Sequence, residues 1–292
     1  MQTTIAGFGY HDVTTPDGVR ISAAVGGSGS PVVLLHGFPQ THLMWRHVAA
    51  DLAADHTVIC PDLRGYGASG KPADTDGRTY AKRAMAADVV AVAREFGFER
   101  FALAGHDRGA LVAFRAGLDH PGAISHLAVL DVLPTVDMWE AMKGRSAAVG
   151  FHLYLMAQPP GLVETLIGAA PDAFFGYFLD LWGRDPGAIP EEIRAAYLAA
   201  SRDAVPSIVA DYRASANIDV EHDLADRAAG RRLGMPVTVL QEDWGAMLGF
   251  DAAALWRAWA PDLDHVTMSS GHFMAEEAPT RVVKALRELL AR

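Results

Sequence analysis

The sequence predicts an α/β architecture, a sheet covered by helices with a helical segment inserted late in the chain. Two observations carry this. Short apolar runs rich in β-branched residues alternate with longer alanine-rich amphipathic stretches, the pattern of strands joined by crossover helices. From about residue 136 to 225 that alternation breaks, and helical segments rich in Met, Phe, Tyr and Trp replace it.

In chain order, residues 10–15 and 19–25 flank Pro16-Asp17-Gly18, a set that suits a hairpin turn because proline presets φ and glycine frees it. Pro31–Leu35, Thr57–Cys60, Phe101–Ala104, His126–Leu130, Val237–Leu240 and His265–Met268 read as core strands. Residues 78–96, 107–119 and 276–291 read as helices between or after them. Inside the break, Met138-Trp139, Phe151–Met156, Phe174–Trp182 and Ile193–Leu198 read as helical, with Pro159-Pro160, Pro171, Pro186 and Pro190 as interruptions. Strand patterning resumes after Met235-Pro236. The chain therefore divides into a core at 1–135 and 226–292 and a helical cap at 136–225. The cap aromatics suit plain packing, and their place over the C-terminal strand ends also makes them candidates for the roof of a site.

Composition narrows the function. At 292 residues, 50% hydrophobic and with mean hydropathy +0.11, the chain can bury one large core. The single cysteine, Cys60, excludes an intramolecular disulfide framework, and the start Met1-Gln2-Thr3-Thr4 lacks a basic-then-apolar signal segment, so a cytoplasmic location is expected. No uncharged apolar stretch reaches the roughly 18 residues that span a bilayer. A net charge of −10 argues against nucleic acid or acidic membrane surfaces as partners, and requires local positive charge for any anionic substrate. The twelve histidines show no metal-ligand spacing, and Gly26-Gly27-Ser28-Gly29 precedes a strand, whereas a phosphate loop follows one. The expected partners are a small molecule and water, with no cofactor and no metal; a homodimer is compatible with the sequence and not required by it.

The most informative residues are Gly105-His106-Asp107-Arg108-Gly109, between an apolar strand and the apolar start of a helix. Glycines there allow a turn too tight for a Cβ, so Asp107 stands at the strand's C-terminal end beside a helix N-terminus that favours an anion. A carboxylate that attacks saturated carbon leaves an alkyl ester whose carbonyl belongs to the enzyme, and water can hydrolyse it and regenerate the acid. The residue type thus points to displacement at sp3 carbon, with halide leaving or an epoxide opening.

Four further motifs complete a pattern: His36-Gly37-Phe38-Pro39, Asp62-Leu63-Arg64-Gly65-Tyr66-Gly67-Ala68-Ser69, Asp131 after Leu127–Leu130, and Gly271-His272-Phe273 before a final helix. With Gly-His-Asp-Arg-Gly they resemble the α/β-hydrolase branch that contains epoxide hydrolases and haloacid dehalogenases, across essentially the whole chain. The resemblance implies an α/β-hydrolase fold, a mostly parallel eight-stranded sheet flanked by helices with an inserted helical cap. Arg108, next to the expected nucleophile, resembles the fluoroacetate and haloacetate dehalogenases in particular.

That resemblance implies roles. Asp107 is the nucleophile and His272 the general base. The acid that orients His272 is Asp131, as Leu-Asp-Val-Leu-Pro fits the dehalogenases, or Glu242 or Asp243 after the seventh strand, where most α/β-hydrolases keep it. Backbone N–H groups of Phe38 and Arg108 form the oxyanion hole. The Arg108 side chain grips a substrate carboxylate, or else ion-pairs in the core. His152, Tyr154, Tyr212 and Trp182 are candidate substrate contacts, with His152 and Tyr212 matching halide donors. Two positions depart from the pattern: Leu111 stands where a second Arg is expected, and Leu153 where a Trp is. The pocket should then be less cationic and more apolar than a fluoroacetate specialist's. The expected function is a haloacetate or 2-haloacid dehalogenase weak on fluoroacetate, with an epoxide hydrolase as the alternative.

Overall fold

The computed structural model describes residues 3–243 and 248–292, and Met1 and Gln2 lie outside them. Eight strands form one sheet in the order β1-β2-β4-β3-β5-β6-β7-β8. They are β1 Gly9–Thr14, β2 Arg20–Gly27, β3 Ser30–Leu35, β4 His56–Pro61, β5 Phe101–His106, β6 Ile124–Leu130, β7 Val237–Glu242 and β8 Leu263–Met268. β1 and β2 pair as the expected hairpin and β2 joins β4 antiparallel; every later pairing is parallel. β5 is buried along its whole length, which explains its unbroken apolar reading.

The core helices are α1 Arg46–Leu52, α2 Lys82–Glu95 and α3 Arg108–Asp119, followed near the C-terminus by α11 Ala252–Arg257, α12 Met274–Glu277 and α13 Pro279–Leu290. α2 packs on α3 and α1 on α13, while α3 and α13 both contact β6. α13 buries Val282, Val283, Leu286 and Leu289, the stripe expected of a surface helix. The single helix read over 276–291 is two, because Pro279 cannot donate the hydrogen bond that would continue α12. Likewise α2 begins at Lys82 rather than near 78, after a turn in which the Tyr80 hydroxyl donates to the Pro72 carbonyl.

Between β6 and β7 the chain is helical: α4 Thr135–Ala141, α5 Phe151–Met156, α6 Leu162–Ala169, α7 Pro171–Trp182, α8 Glu191–Arg202, α9 Val205–Ala216 and α10 Ile218–Ala228. No single helix is long and apolar enough to cross a membrane. Buried ion pairs tie this insertion to the sheet layers. Asp211 on α9 accepts from Lys82 and Arg108, Asp223 and Asp226 on α10 accept from Arg115, and Glu276 on α12 meets Tyr197 of α8 and Arg46. Removing one member of such a pair strands a buried charge at a cost of about 3–5 kcal/mol, so the contacts hold the insertion in one place.

Candidate active site

Parallel register gathers the expected residues. Leu35 pairs with Gly105 and His106 with Leu130, so the loop after β3, Asp107 after β5 and Asp131 after β6 emerge side by side. Leu130 pairs with Leu240 and Glu242 with Met268, which brings Glu242 and the loop carrying His272 alongside. In open α/β sheets this C-terminal edge is where ligands bind.

The turn at Asp107 needs its glycines. A Cβ on Gly105 would lie 2.3 Å from the Gly109 carbonyl oxygen, one on Gly109 2.3 Å from that of His36, and one on Gly37 2.6 Å from the Asp107 Cβ. Asp107 itself has φ 48° and Asp131 φ 53°, a region non-glycine residues rarely occupy and one found at functional sites.

Asp107 Oδ1 accepts the Phe38 N–H at 2.8 Å. Its Oδ2 lies 4.0 Å from His272 Nε2. His272 Nδ1 is 2.6 Å from Asp131 Oδ2, and Asp131 Oδ1 accepts the Glu242 N–H at 3.0 Å. With the Nδ1 proton facing Asp131, Nε2 carries the lone pair, and it has no hydrogen-bond partner in the described residues. Burial opposes protonation of His272, but the hydrogen bond and charge of Asp131, followed by Asp107 and Glu242, win, and its pKa is raised. His106 is held neutral, pushed down to about 4 by burial and the neighbouring His272; it meets the His272 carbonyl oxygen at 2.8 Å and so buttresses that loop.

Between Asp131 and the alternatives after β7, the hydrogen bond goes to Asp131. Asp243 is exposed. Glu242 is close, since side-chain nitrogen and oxygen atoms of Asp131, Glu242 and His272 lie within 4.8 Å of one another, but both Asp131 oxygens and His272 Nδ1 are already engaged. Burial, then the Asp131 charge, pushes the Glu242 carboxyl up to about 7.

Above Asp107 a cavity of about 280 Å³ is lined by core and insertion residues, among them Arg108, Leu111, Met138, Trp139, His152, Leu153, Trp182 and Tyr212. Phe38 anchors its roof, with ring centroids 5.4 Å from Tyr212, 6.0 Å from Trp182 and 6.4 Å from His152. Trp182 packs 5.0 Å from His272, and its carbonyl accepts the His272 N–H at 3.0 Å. Burial drives His152 down to about 3, leaving it neutral, and burial with the Asp107 charge holds Tyr212 protonated. His152 Nδ1 and Tyr212 Oη are buried without hydrogen-bond partners in the described residues.

Two expectations need correction. Tyr154 does not line the cavity: its hydroxyl donates to the Met142 carbonyl at 2.6 Å and its ring packs on Trp139. His152 and Tyr154 are two apart on α5, and residues at that spacing do not share a helix face. The Arg108 side chain is also not a free bidentate clamp. Its Nε and Nη2 donate to the Asp211 carboxylate at 2.9 and 2.8 Å, and Nη2 donates also to the Asp211 carbonyl at 3.0 Å. Its guanidinium lies 4.1 Å over the Tyr212 ring, so the pair positions Tyr212. The alternative of a core ion pair is the observed one. Sequence reading missed Lys82, which shares Asp211, and Ser215, 3.4 Å from Arg108 Nη1; pairs this far apart in the chain leave no local pattern.

The site and sheet are those of one superfamily, and comparison with known proteins agrees. A family profile described as alpha/beta hydrolase fold matches residues 30–150. A fluoroacetate dehalogenase of Burkholderia sp. is 40% identical over 94% of this chain and 91% of its own. The chain is an α/β-hydrolase. A soluble epoxide hydrolase of Corynebacterium sp. (strain C12) is 30% identical over 96% of this α/β-hydrolase and 97% of its own length. Among solved structures, a protein from Nostoc sp. PCC 7120 assigned to the alpha/beta hydrolases superposes with TM-score 0.94 at 39% identity, covering 99% of this chain and 100% of that one.

Proposed function

We propose that this hydrolase releases halide from haloacetates and 2-haloacids through an ester formed on Asp107, with the 136–225 insertion as the cap that closes the site. The observation that carries the reading is the division of labour at one carboxylate: Oδ1 is held by the Phe38 N–H, while Oδ2 faces His272 Nε2 at 4.0 Å beneath the unpartnered donors of Tyr212 and His152. The similarity to a fluoroacetate dehalogenase supports it.

Asp107 Oδ2 attacks the halogen-bearing carbon, the carbon–halogen bond breaks, and the halide leaves toward the Tyr212 O–H and a His152 N–H. Esterification through Oδ2 leaves Oδ1 as the carbonyl oxygen, already against the Phe38 N–H, with the Arg108 N–H at the start of α3 as the second donor to the developing oxyanion. His272 Nε2 takes a proton from water, whose oxygen adds to the Asp107 Cγ; collapse breaks the Cγ–Oδ2 bond, His272 returns the proton to the departing Oδ2, and the hydroxy acid leaves as Asp107 recovers its carboxylate. Losing Asp107's charge on esterification also removes one cause of His272's raised pKa, so the imidazole becomes easier to keep neutral when a base is needed.

Leu111 and Leu153, at the two departures from the dehalogenase pattern, both line the cavity. At about 280 Å³ the cavity approaches the size of ordinary small-molecule sites, more than a two-carbon acid needs. Fluoride is the halide most dependent on hydrogen bonds, and one missing donor to a charged group is worth about 1.5–3 kcal/mol. Halide release from fluoroacetate, chloroacetate and 2-chloropropionate should therefore show kcat/KM for fluoroacetate about 10-fold or more below the other two. Preference for fluoroacetate would contradict this. The epoxide alternative has Tyr212 as its one cavity tyrosine of the two named, since Tyr154 is turned away.

A further inference from the structure

We propose that Arg184, at the mouth of the cavity, captures the anionic group of the substrate, with Glu242 as its resting partner. The inference rests on the reading that the substrate is an acid. Among the described residues lining the cavity, Arg108 and Arg184 are the two arginines, and no lysine joins them. Arg108 has little left to give: Nε and Nη2 spend their hydrogens on Asp211, Ser215 lies beside Nη1, and Asp211 offsets its charge. A second cation is needed.

Arg184 is placed for it. Val149, Leu181 and Arg184 line the cavity yet are 56%, 58% and 61% exposed, which marks where it opens. The arginine's backbone is fixed, because its N–H donates to Glu277 Oε2 at 3.0 Å just beyond α7. Its guanidinium is not: among the described residues its ion pair is with Glu242 Oε2 at 3.7 Å, beyond hydrogen-bond length. An incoming carboxylate can exchange that loose pair for a two-pronged one. On a chain of net charge −10, this cation also gives an anion a locally favourable approach.

Glu242 sets how available Arg184 is. The groups facing it are Asp131, His272, Arg184 and Glu277, and burial with Asp131 leaves it titrating at about 7. Below that pH it is neutral and Arg184 is free for substrate. Above it, the carboxylate competes for Arg184 and repels the anion.

The test is steady-state halide release from 2-chloropropionate by the full chain and its variants. Arg184→Gln should raise KM about tenfold while kcat stays within about twofold, and Arg184→Lys should recover most of the loss. The rise of KM with ionic strength should flatten in Arg184→Gln, and Glu242→Gln should lower KM at pH 8. An unchanged KM in Arg184→Gln, or a fall in kcat with KM unmoved, overturns the inference and leaves the dehalogenase reading standing. Failure of the wild-type protein to release halide from any acid defeats that reading itself.

Discussion

Asp107→Ala is expected to abolish turnover, with kcat for chloroacetate falling on the order of 10⁶-fold to the background set by binding alone. That is the scale of losing a covalent nucleophile. No other described side chain replaces it: an Asp107 oxygen is the one that the Phe38 N–H holds while His272 stands 4.0 Å from the other. Alanine tolerates the φ of 48° at this position less well than aspartate and should lower stability modestly, so circular dichroism and thermal unfolding are used to verify that the variant is folded. Retention of even one-hundredth of wild-type kcat in a folded variant would remove Asp107 from the chemistry.

His272→Gln is expected to stop the reaction halfway. Alkylation requires Asp107 and a departing halide, whereas ester hydrolysis requires the base, so the variant should release about one equivalent of halide per site and then stall. Intact mass should rise by the acid moiety, and proteolysis should locate it on Asp107. Sustained turnover is expected to fall by about 10²–10⁴-fold. In the wild-type protein the same group sets an acid limb. The base works only when neutral, so kcat should fall as pH drops through the pKa of His272 in the esterified enzyme, which Asp131 still raises against burial although Asp107 no longer does. Turnover by His272→Gln at the wild-type rate, or a burst without a labelled protein, would contradict the assignment.

The sheet was legible because its signals are local. Apolar runs at Pro31–Leu35, Phe101–Ala104 and Val237–Leu240 lie inside observed strands, and the Pro16-Asp17-Gly18 turn joins β1 to β2. The glycines around Asp107 could be read as a close approach of backbones, and the contacts a Cβ would meet there are of that kind. Less visible were α6, α9 and α10, whose residues mix small, polar and apolar types with no contrast between faces as strong as that of α13. Least visible was the fate of charges. Arg108 and Asp211 are 103 positions apart, and only the packing of α9 on the core shows that the guanidinium is spent before any ligand arrives. Tyr154 was misplaced for a reason the sequence did contain, its two-residue offset from His152 on one helix.

In the proposed reaction an oxygen of Asp107 becomes the product's hydroxyl. A single turnover of chloroacetate or 2-chloropropionate, with enzyme in excess in 18O-enriched water, tests it most directly. The expected result is unlabelled hydroxy acid and one heavy oxygen in the peptide that carries Asp107. Label in the product's hydroxyl with none in that peptide would mean that water attacked the substrate itself.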